Sequence, residues 1–177
     1  GPVGRVMSPS GPAQPLSVAV VGVGDMGRNH ARCLAAMKGV DLVAVVDSDV
    51  DRCHEVAATF ECRSVTSISD LPQVDAAIVA VPSASHAEVG CALMERGVHC
   101  LIEKPLALDR TEAELLIDAA DSANVVLQVG HIERFNPAVR QLKELLAGEL
   151  VLVANARRMS ALSGRVTDID VVMDLMV

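Results

Sequence analysis

Leu16-Ser17-Val18-Ala19-Val20-Val21-Gly22-Val23-Gly24-Asp25-Met26-Gly27-Arg28-Asn29-His30 is the stretch whose reading decides the fold. An apolar run, Val18 to Val21, leads straight into Gly22-x-Gly24-x-x-Gly27, and Met26, Ala31, Leu34, Ala35 and Met37 follow at helical spacing. Strand, glycine turn and helix in that order give the pattern a mechanism. Gly22 allows the tight turn, Gly24 leaves room for a pyrophosphate, and Gly27 lets the helix pack close to the strand. Free backbone N–H groups at the helix start, around Asp25 and Met26, point toward the anion. A second apolar run, Leu42 to Val46, ends in Asp47, about 20 residues beyond Gly27, where a carboxylate meets the ribose hydroxyls of NAD. The pattern reads as a dinucleotide site with NAD as its cofactor. Arg52, one helical turn beyond Asp47, counts slightly against a strict choice of NAD over NADP.

At 177 residues the chain can bury a core as one domain, with little left for a second. A net charge of −8 gives no bulk attraction to nucleic acid or to anionic membrane. With 2 Phe and neither Trp nor Tyr, there is no aromatic platform for stacking bases. Five cysteines (Cys33, Cys53, Cys62, Cys91, Cys100) form no CxxC pair and no metal-ligand spacing, so no metal is expected. Free thiols in a reducing cytoplasm is the expectation. No apolar run reaches the length of a membrane span, and nothing resembles a signal peptide.

Residues 1–15 are rich in Gly, Pro and Ser and read as a disordered leader. Residues 16–135 read as an α/β dinucleotide-binding domain. Ser48 or Asp49 caps a helix to about Phe60, and a short strand lies near Cys62–Val65. Asp75–Val81 is a buried strand stopped by Pro82, after which Ser83 or Ser85 caps a helix from His86 to Arg96, closed by Gly97. Val98–Glu103 and Val125–Val129 are further strands, flanking a helix that Asp109 caps and that runs from Arg110 to about Ser122. Strands apolar on both sides and alternating with helices imply a doubly wound parallel sheet, the Rossmann arrangement. Residues 136–177 read as a linker helix, Pro137 to about Ala147, a strand over Leu150–Arg158, and the truncated beginning of a second domain.

Ligands of such a sheet bind beyond the carboxyl ends of its strands. That rule selects the glycine turn, Asp47, Pro82–His86, Glu103-Lys104-Pro105 and Gly130–Asn136. Lys104 follows a buried strand on the crevice side. A lysine beside an oxidised nicotinamide would be pushed toward neutrality and suit proton exchange; a solvated loop lysine paired with Glu103 is the alternative. Pro105 permits a cis peptide. His86 either contacts the cofactor or caps its helix. His131-Ile132-Glu133-Arg134-Phe135-Asn136 is either a substrate-contacting loop or plain surface. Arg157, Arg158 and Arg165 could receive phosphates or a carboxylate, or form a solvated face. Asp170 and Asp174 share one helix face, which position 178 would complete.

At these residues the chain resembles the Gfo/Idh/MocA family of NAD(P)-dependent oxidoreductases. The matches are the glycine turn with Met26 inside it, Val81-Pro82-Ser83-x-x-His86, and Glu103-Lys104-Pro105. Gly130-His131-Ile132-Glu133-Arg134-Phe135-Asn136-Pro137 resembles the branch that oxidises UDP-linked N-acetylhexosamines or their uronic acids at C3. Asp170 to Val177 is similar to the lead-in to the family's D-x-x-x-H-D motif. The resemblance implies that Lys104 is catalytic, and that Val81, Pro82, Ser83, His86, Glu103 and Lys104 line the cofactor. It places Glu133, Arg134, Asn136, Arg157, Arg165 and Asp174 toward a sugar or nucleotide-sugar substrate. It also implies a second α/β domain with an open sheet, a homo-oligomeric full-length protein, and a catalytic histidine as the residue after Val177. A chain ending at Val177 is then expected to be inactive by itself. Two other readings stay open: a non-catalytic NAD-binding sensor or scaffold, and a polyol or inositol dehydrogenase of the same family.

Overall fold

The computed structural model describes residues 14–153 and Asn155. Eleven regular elements alternate along them: β1 (Leu16–Val21), α1 (Asp25–Ala35), β2 (Val40–Val46), α2 (Val50–Phe60), β3 (Arg63–Val65), β4 (Ala76–Val79), α3 (His86–Glu95), β5 (His99–Ile102), α4 (Arg110–Ala123), β6 (Leu127–Val129) and α5 (Pro137–Leu145). The strands form one sheet in the order β3-β2-β1-β4-β5-β6. The β1–β2, β2–β3 and β5–β6 pairings are parallel. This is the doubly wound sheet expected from the alternation of apolar runs and amphipathic segments. The chain divides into two compact units, Gly1–Ile78 and Val79–Val177.

In the first unit, β1 lies against β2 from Leu16↔Val40 to Val21↔Val46, with one irregularity between Val18 and Ala19. That register brings the carboxyl ends of both strands level, so the glycine turn after Val21 and Asp47 after Val46 emerge side by side. Val18, Val20, Val23, Ala31, Leu34, Leu42, Val45, Cys53 and Val56 form the core beneath them. Asp49 caps α2 by accepting from the Arg52 backbone N–H at 3.0 Å. Glu61 ends that helix in the left-handed conformation, with φ 54°.

In the second unit, α3 closes on its neighbours through Gly90, where a Cβ would lie 2.6 Å from Leu116 Cδ2 and 2.7 Å from Ile102 Cδ1. Leu93, Met94, Val98, Ile102 and Leu116 are wholly buried around that contact. Asp109 caps α4 through the Glu112 N–H at 2.9 Å, and Gly97, with φ 77°, closes α3 as expected. Neither Ser83 nor Ser85 caps α3 with its side chain. Instead a short 3-10 turn over Ser83–Ser85, held by Ser85 N–H to Pro82 O, feeds the helix from its backbone. Strands are shorter than the apolar runs that encode them. The N–H groups of Val125 and Val126, for example, bond to Ala120 O and His99 Nδ1, so the ladder starts only at Leu127.

The linker helix forms as α5, with Asn136 accepting from Ala138 N–H and Pro137 in its first turn. The strand expected over Leu150–Arg158 does not form in its described part: residues 150–153 and Asn155 are unpaired and exposed. Strands need a partner, and none of the described residues pairs with this segment. Alanine 154 and residues 156–177, including Arg157, Arg158, Arg165, Asp170 and Asp174, lie outside the described residues, as do residues 1–13 of the expected leader.

All five cysteines are free thiols. Cys100, in β5, is 3% exposed, and burial, with a smaller contribution from Cys91, pushes its thiol up to about 12. Its folded-state pKa therefore lies above its unfolded value near 9. The stability tied to the protonated thiol is complete below about pH 9 and is lost as pH rises toward 12. Each unit is worth ~1.4 kcal/mol, so the wild-type advantage over Cys100→Ala is expected to shrink by up to ~3 kcal/mol between pH 8 and pH 11. Urea unfolding at the two pH values checks this. A difference between the proteins that does not change with pH would contradict it.

Candidate functional site

Each glycine of the turn has a separate geometric reason. Gly22 has φ 84°, a region that side chains rarely adopt, and its N–H donates to Val46 O at 2.7 Å. A Cβ on Gly27 would overlap the Gly22 carbonyl, so α1 can approach the turn only with glycine there. Gly24 is different: a Cβ would meet nothing within 4 Å, and both Gly24 and Asp25 are exposed. Gly24 is also the N-cap of α1 and supplies no side-chain cap. Open space therefore stands over an uncapped helix start, which is the surrounding an anion requires.

Asp47 is 8% exposed, and its carboxylate ties the turn together. Its Oδ2 accepts from the Val23 N–H, between the first two glycines, at 2.8 Å. Oδ1 accepts from the Asp49 N–H at 2.9 Å. Arg52 adds a two-pronged contact, Nη2 to Oδ1 at 2.8 Å and Nε to Oδ2 at 3.3 Å. Burial pushes the Asp47 carboxyl up, but donation from Arg52, Val23 and Asp49 outweighs it and holds the group below its ordinary value. Arg52 is raised in turn, chiefly by its hydrogen bond to Asp47. The role of Val23 is invisible in the sequence, because it rests on a backbone N–H rather than on a side chain.

The second unit holds the remaining expected residues after β4, β5 and β6. Val81 is half-buried, Pro82 exposed and Ser83 buried at 9% exposure. His86 is 1% exposed, with Nδ1 2.8 Å from Pro105 O and Nε2 3.0 Å from Val81 O. Neither ring nitrogen caps the helix; both meet backbone carbonyls. The imidazole instead joins the loop after β4 to the loop after β5, donating through at least one nitrogen. The Lys104–Pro105 peptide is cis.

Glu103 is buried at 7% exposure, and its N–H donates to Val79 O at 2.9 Å. Its carboxylate accepts from the Lys104 backbone N–H at 3.3 Å and lies directly beneath Gly130, where a Cβ would approach it to 3.1 Å. Gly130 N–H donates to Ile102 O at 2.7 Å, which brings the ends of β5 and β6 together. Lys104, half-buried, is thus carried on a backbone fixed by its neighbours on both sides.

Beyond Gly130 the chain forms a 3-10 turn over Ile132–Phe135. Asn136 Nδ2 donates to Glu133 Oε2 at 2.9 Å, while its own Oδ1 caps α5 by accepting from the Ala138 N–H. Its side chain therefore has a local structural duty. Arg134, His131 and Arg140 line a cleft of about 650 Å³ with Gln128 and Phe135. No group of three or more His, Cys, Asp or Glu that could hold a metal occurs among the described residues. No helix among them is long and apolar enough to cross a membrane.

Comparison with known proteins gives consistent matches. The family model GFO_IDH_MocA, described as an oxidoreductase family with an NAD-binding Rossmann fold, matches residues 16–131. UDP-N-acetylglucosamine 3-dehydrogenase of Acidithiobacillus ferrooxidans is 40% identical over 163 residues, covering 92% of this chain and 51% of that protein. A crystal form of that enzyme superimposes with a TM-score of 0.80 over 92% of this chain and 53% of its own, at 41% identity. GenD2 from gentamicin A biosynthesis, solved in complex with NAD, gives a TM-score of 0.74 at 35% identity over 82% of this chain and 42% of its own. Inositol 2-dehydrogenase 4 of Saccharopolyspora erythraea is 37% identical over 142 residues, covering 76% of this chain and 42% of that protein. The chain spans about half, or less, of the length of these relatives.

Proposed function

Because the chain belongs to the GFO_IDH_MocA family of oxidoreductases, with an NAD-binding Rossmann fold, we propose that residues 16–135 bind NAD and serve a sugar dehydrogenase. The observation that carries this reading is the bond from the Val23 N–H to Asp47 Oδ2 at 2.8 Å. It makes the carboxylate suited to ribose hydroxyls and the turn suited to a pyrophosphate one fixed unit. Gly22, Gly24, Asp25, Met26 and Gly27 would hold the pyrophosphate and Asp47 the adenosine ribose, while Val81, Pro82, Ser83, Glu103 and Lys104 would lie toward the nicotinamide. His86 would act from behind them through the Val81 and Pro105 carbonyls. Bound NAD would supply the hydride acceptor. Lys104 would take the proton of the hydroxyl being oxidised, from a backbone steadied by Glu103 and Pro105.

A nucleotide sugar is the substrate class we favour, on two grounds. One is the 40% identity to a UDP-N-acetylglucosamine 3-dehydrogenase; the other is the Gly130–Pro137 stretch, whose Arg134 and His131 line the cleft after β6. Glu133 and Arg134 would serve the sugar, with Arg157, Arg165 and Asp174 assigned from sequence. The 37% identity to an inositol 2-dehydrogenase supports a polyol as the second reading. Assay of the protein at its relatives' full length with UDP-N-acetylglucosamine and with myo-inositol separates the two. A cytoplasmic location suits the five free thiols, and a homo-oligomer in the full-length form completes the proposal.

Cofactor choice tests the site directly. NAD should bind in preference to NADP, because a buried carboxylate repels a 2′-phosphate. Asp47→Asn keeps an acceptor for Val23 but removes the charge, and should shift the preference toward NADP by ~1–3 kcal/mol. Calorimetric titration of both cofactors into both proteins measures it. An unchanged preference would remove Asp47 from the ribose site.

A further inference from the structure

The carboxylate assigned to the ribose is already fully occupied. An ionised Asp offers about four accepting positions, and Asp47 has donors on all of them: Val23 N–H and Arg52 Nε on Oδ2, Asp49 N–H and Arg52 Nη2 on Oδ1. Two of these donors belong to the backbone, one within the glycine turn and one at the start of α2, and cannot leave without moving those elements. The other two belong to one side chain, which is 41% exposed. Arg52 is also held on its far side by Asp49, Nη1 to Oδ2 at 3.5 Å, so a guanidinium leaving Asp47 keeps an anionic neighbour.

We infer that Arg52 is a specificity-determining residue that competes with the ribose for Asp47 and, once displaced, serves as the receptor for a 2′-phosphate. The inference rests on the dinucleotide reading of this site. Ribose hydroxyls can donate to Asp47 only where Arg52 withdraws, so each NAD bound forfeits a bidentate ion pair. A 2′-phosphate has the opposite relation to the pair. It is repelled by Asp47 but matches the fork geometry of the released guanidinium, which binds phosphate in two-pronged fashion. The pair therefore weakens NAD and rescues NADP together, narrowing a preference that Asp47 alone would make wide. Cofactor choice is then a property of two side chains, set by which of them faces the 2′ position.

The test is calorimetric titration of NAD and NADP into the wild-type chain, Arg52→Ala and Arg52→Lys. Arg52→Ala should bind NAD about twofold to fivefold more tightly, the scale of a half-exposed ion pair. It should bind NADP about tenfold more weakly, the scale of a charged hydrogen bond, so the NAD:NADP ratio widens by more than tenfold. Arg52→Lys, which keeps the charge without the fork, should fall between the two and guards against a folding defect specific to alanine. If the wild-type chain binds NAD and neither variant changes the ratio, the inference about Arg52 is overturned while the dinucleotide site stands. If the wild-type chain binds neither cofactor, the site reading itself is overturned and the inference with it.

Discussion

Gly27→Ala is expected to cost ~3 kcal/mol or more and to abolish NAD binding, whereas Gly24→Ala is expected to abolish binding while leaving the fold nearly intact. The two methyl groups are chemically identical, and only their surroundings differ. At Gly27 the added carbon overlaps the Gly22 carbonyl, a backbone group that cannot swing aside. The helix must then retreat from the turn, at the upper end of the cost of overpacking or beyond it. At Gly24 the added carbon meets nothing within 4 Å. Its expected cost is within ~1 kcal/mol, that of changing an N-cap residue. The methyl nevertheless projects into the space that the pyrophosphate requires. Thermal unfolding and NAD titration of the two variants give the comparison. Equal stability losses would mean that α1 is not held against the turn as described, and unimpaired binding by Gly24→Ala would place the anion elsewhere.

Lys104→Met, made in the protein at its relatives' full length, is expected to lower kcat by roughly 10²–10⁴-fold, the usual contribution of a positioned acid or base. NAD affinity should stay nearly unchanged, because proton transfer is needed only along the reaction path. Arg is not expected to substitute for it, since a guanidinium cannot give up its proton at neutral pH. Steady-state rates with a UDP-sugar, together with NAD titration, separate these effects. A Lys104→Met enzyme that keeps most of its kcat would make Lys104 a loop residue whose duties are structural.

Local chemistry made much of this fold legible. The caps at Asp49 and Asp109 and the closure of α3 at Gly97 were each readable from one or two residues, because each satisfies its own chain's backbone. The glycine turn was readable for the same reason. What could not be read depends on partners distant in sequence. His86 looks like a helix-capping histidine until Pro105, 19 residues away, supplies a carbonyl to its ring. Ser83 and Ser85 have the right chemistry for caps, but a backbone turn takes that duty. Leu150–Val153 has the composition of a strand, and composition alone provides no neighbour to pair with. Arg52 was visible as a charge one turn beyond Asp47; its bidentate hold on that carboxylate was not.

An amide-resolved NMR titration of the isotopically labelled 18.6 kDa chain with NAD tests the central claim most directly. The expected result is saturable shifts concentrated on the N–H groups of residues 22–27, on Asp47 and Asp49, and on the Arg52 side chain as it leaves the carboxylate. Shifts that avoid the glycine turn and Asp47, or no saturable shifts at millimolar NAD, would contradict the assignment of this turn as a dinucleotide site.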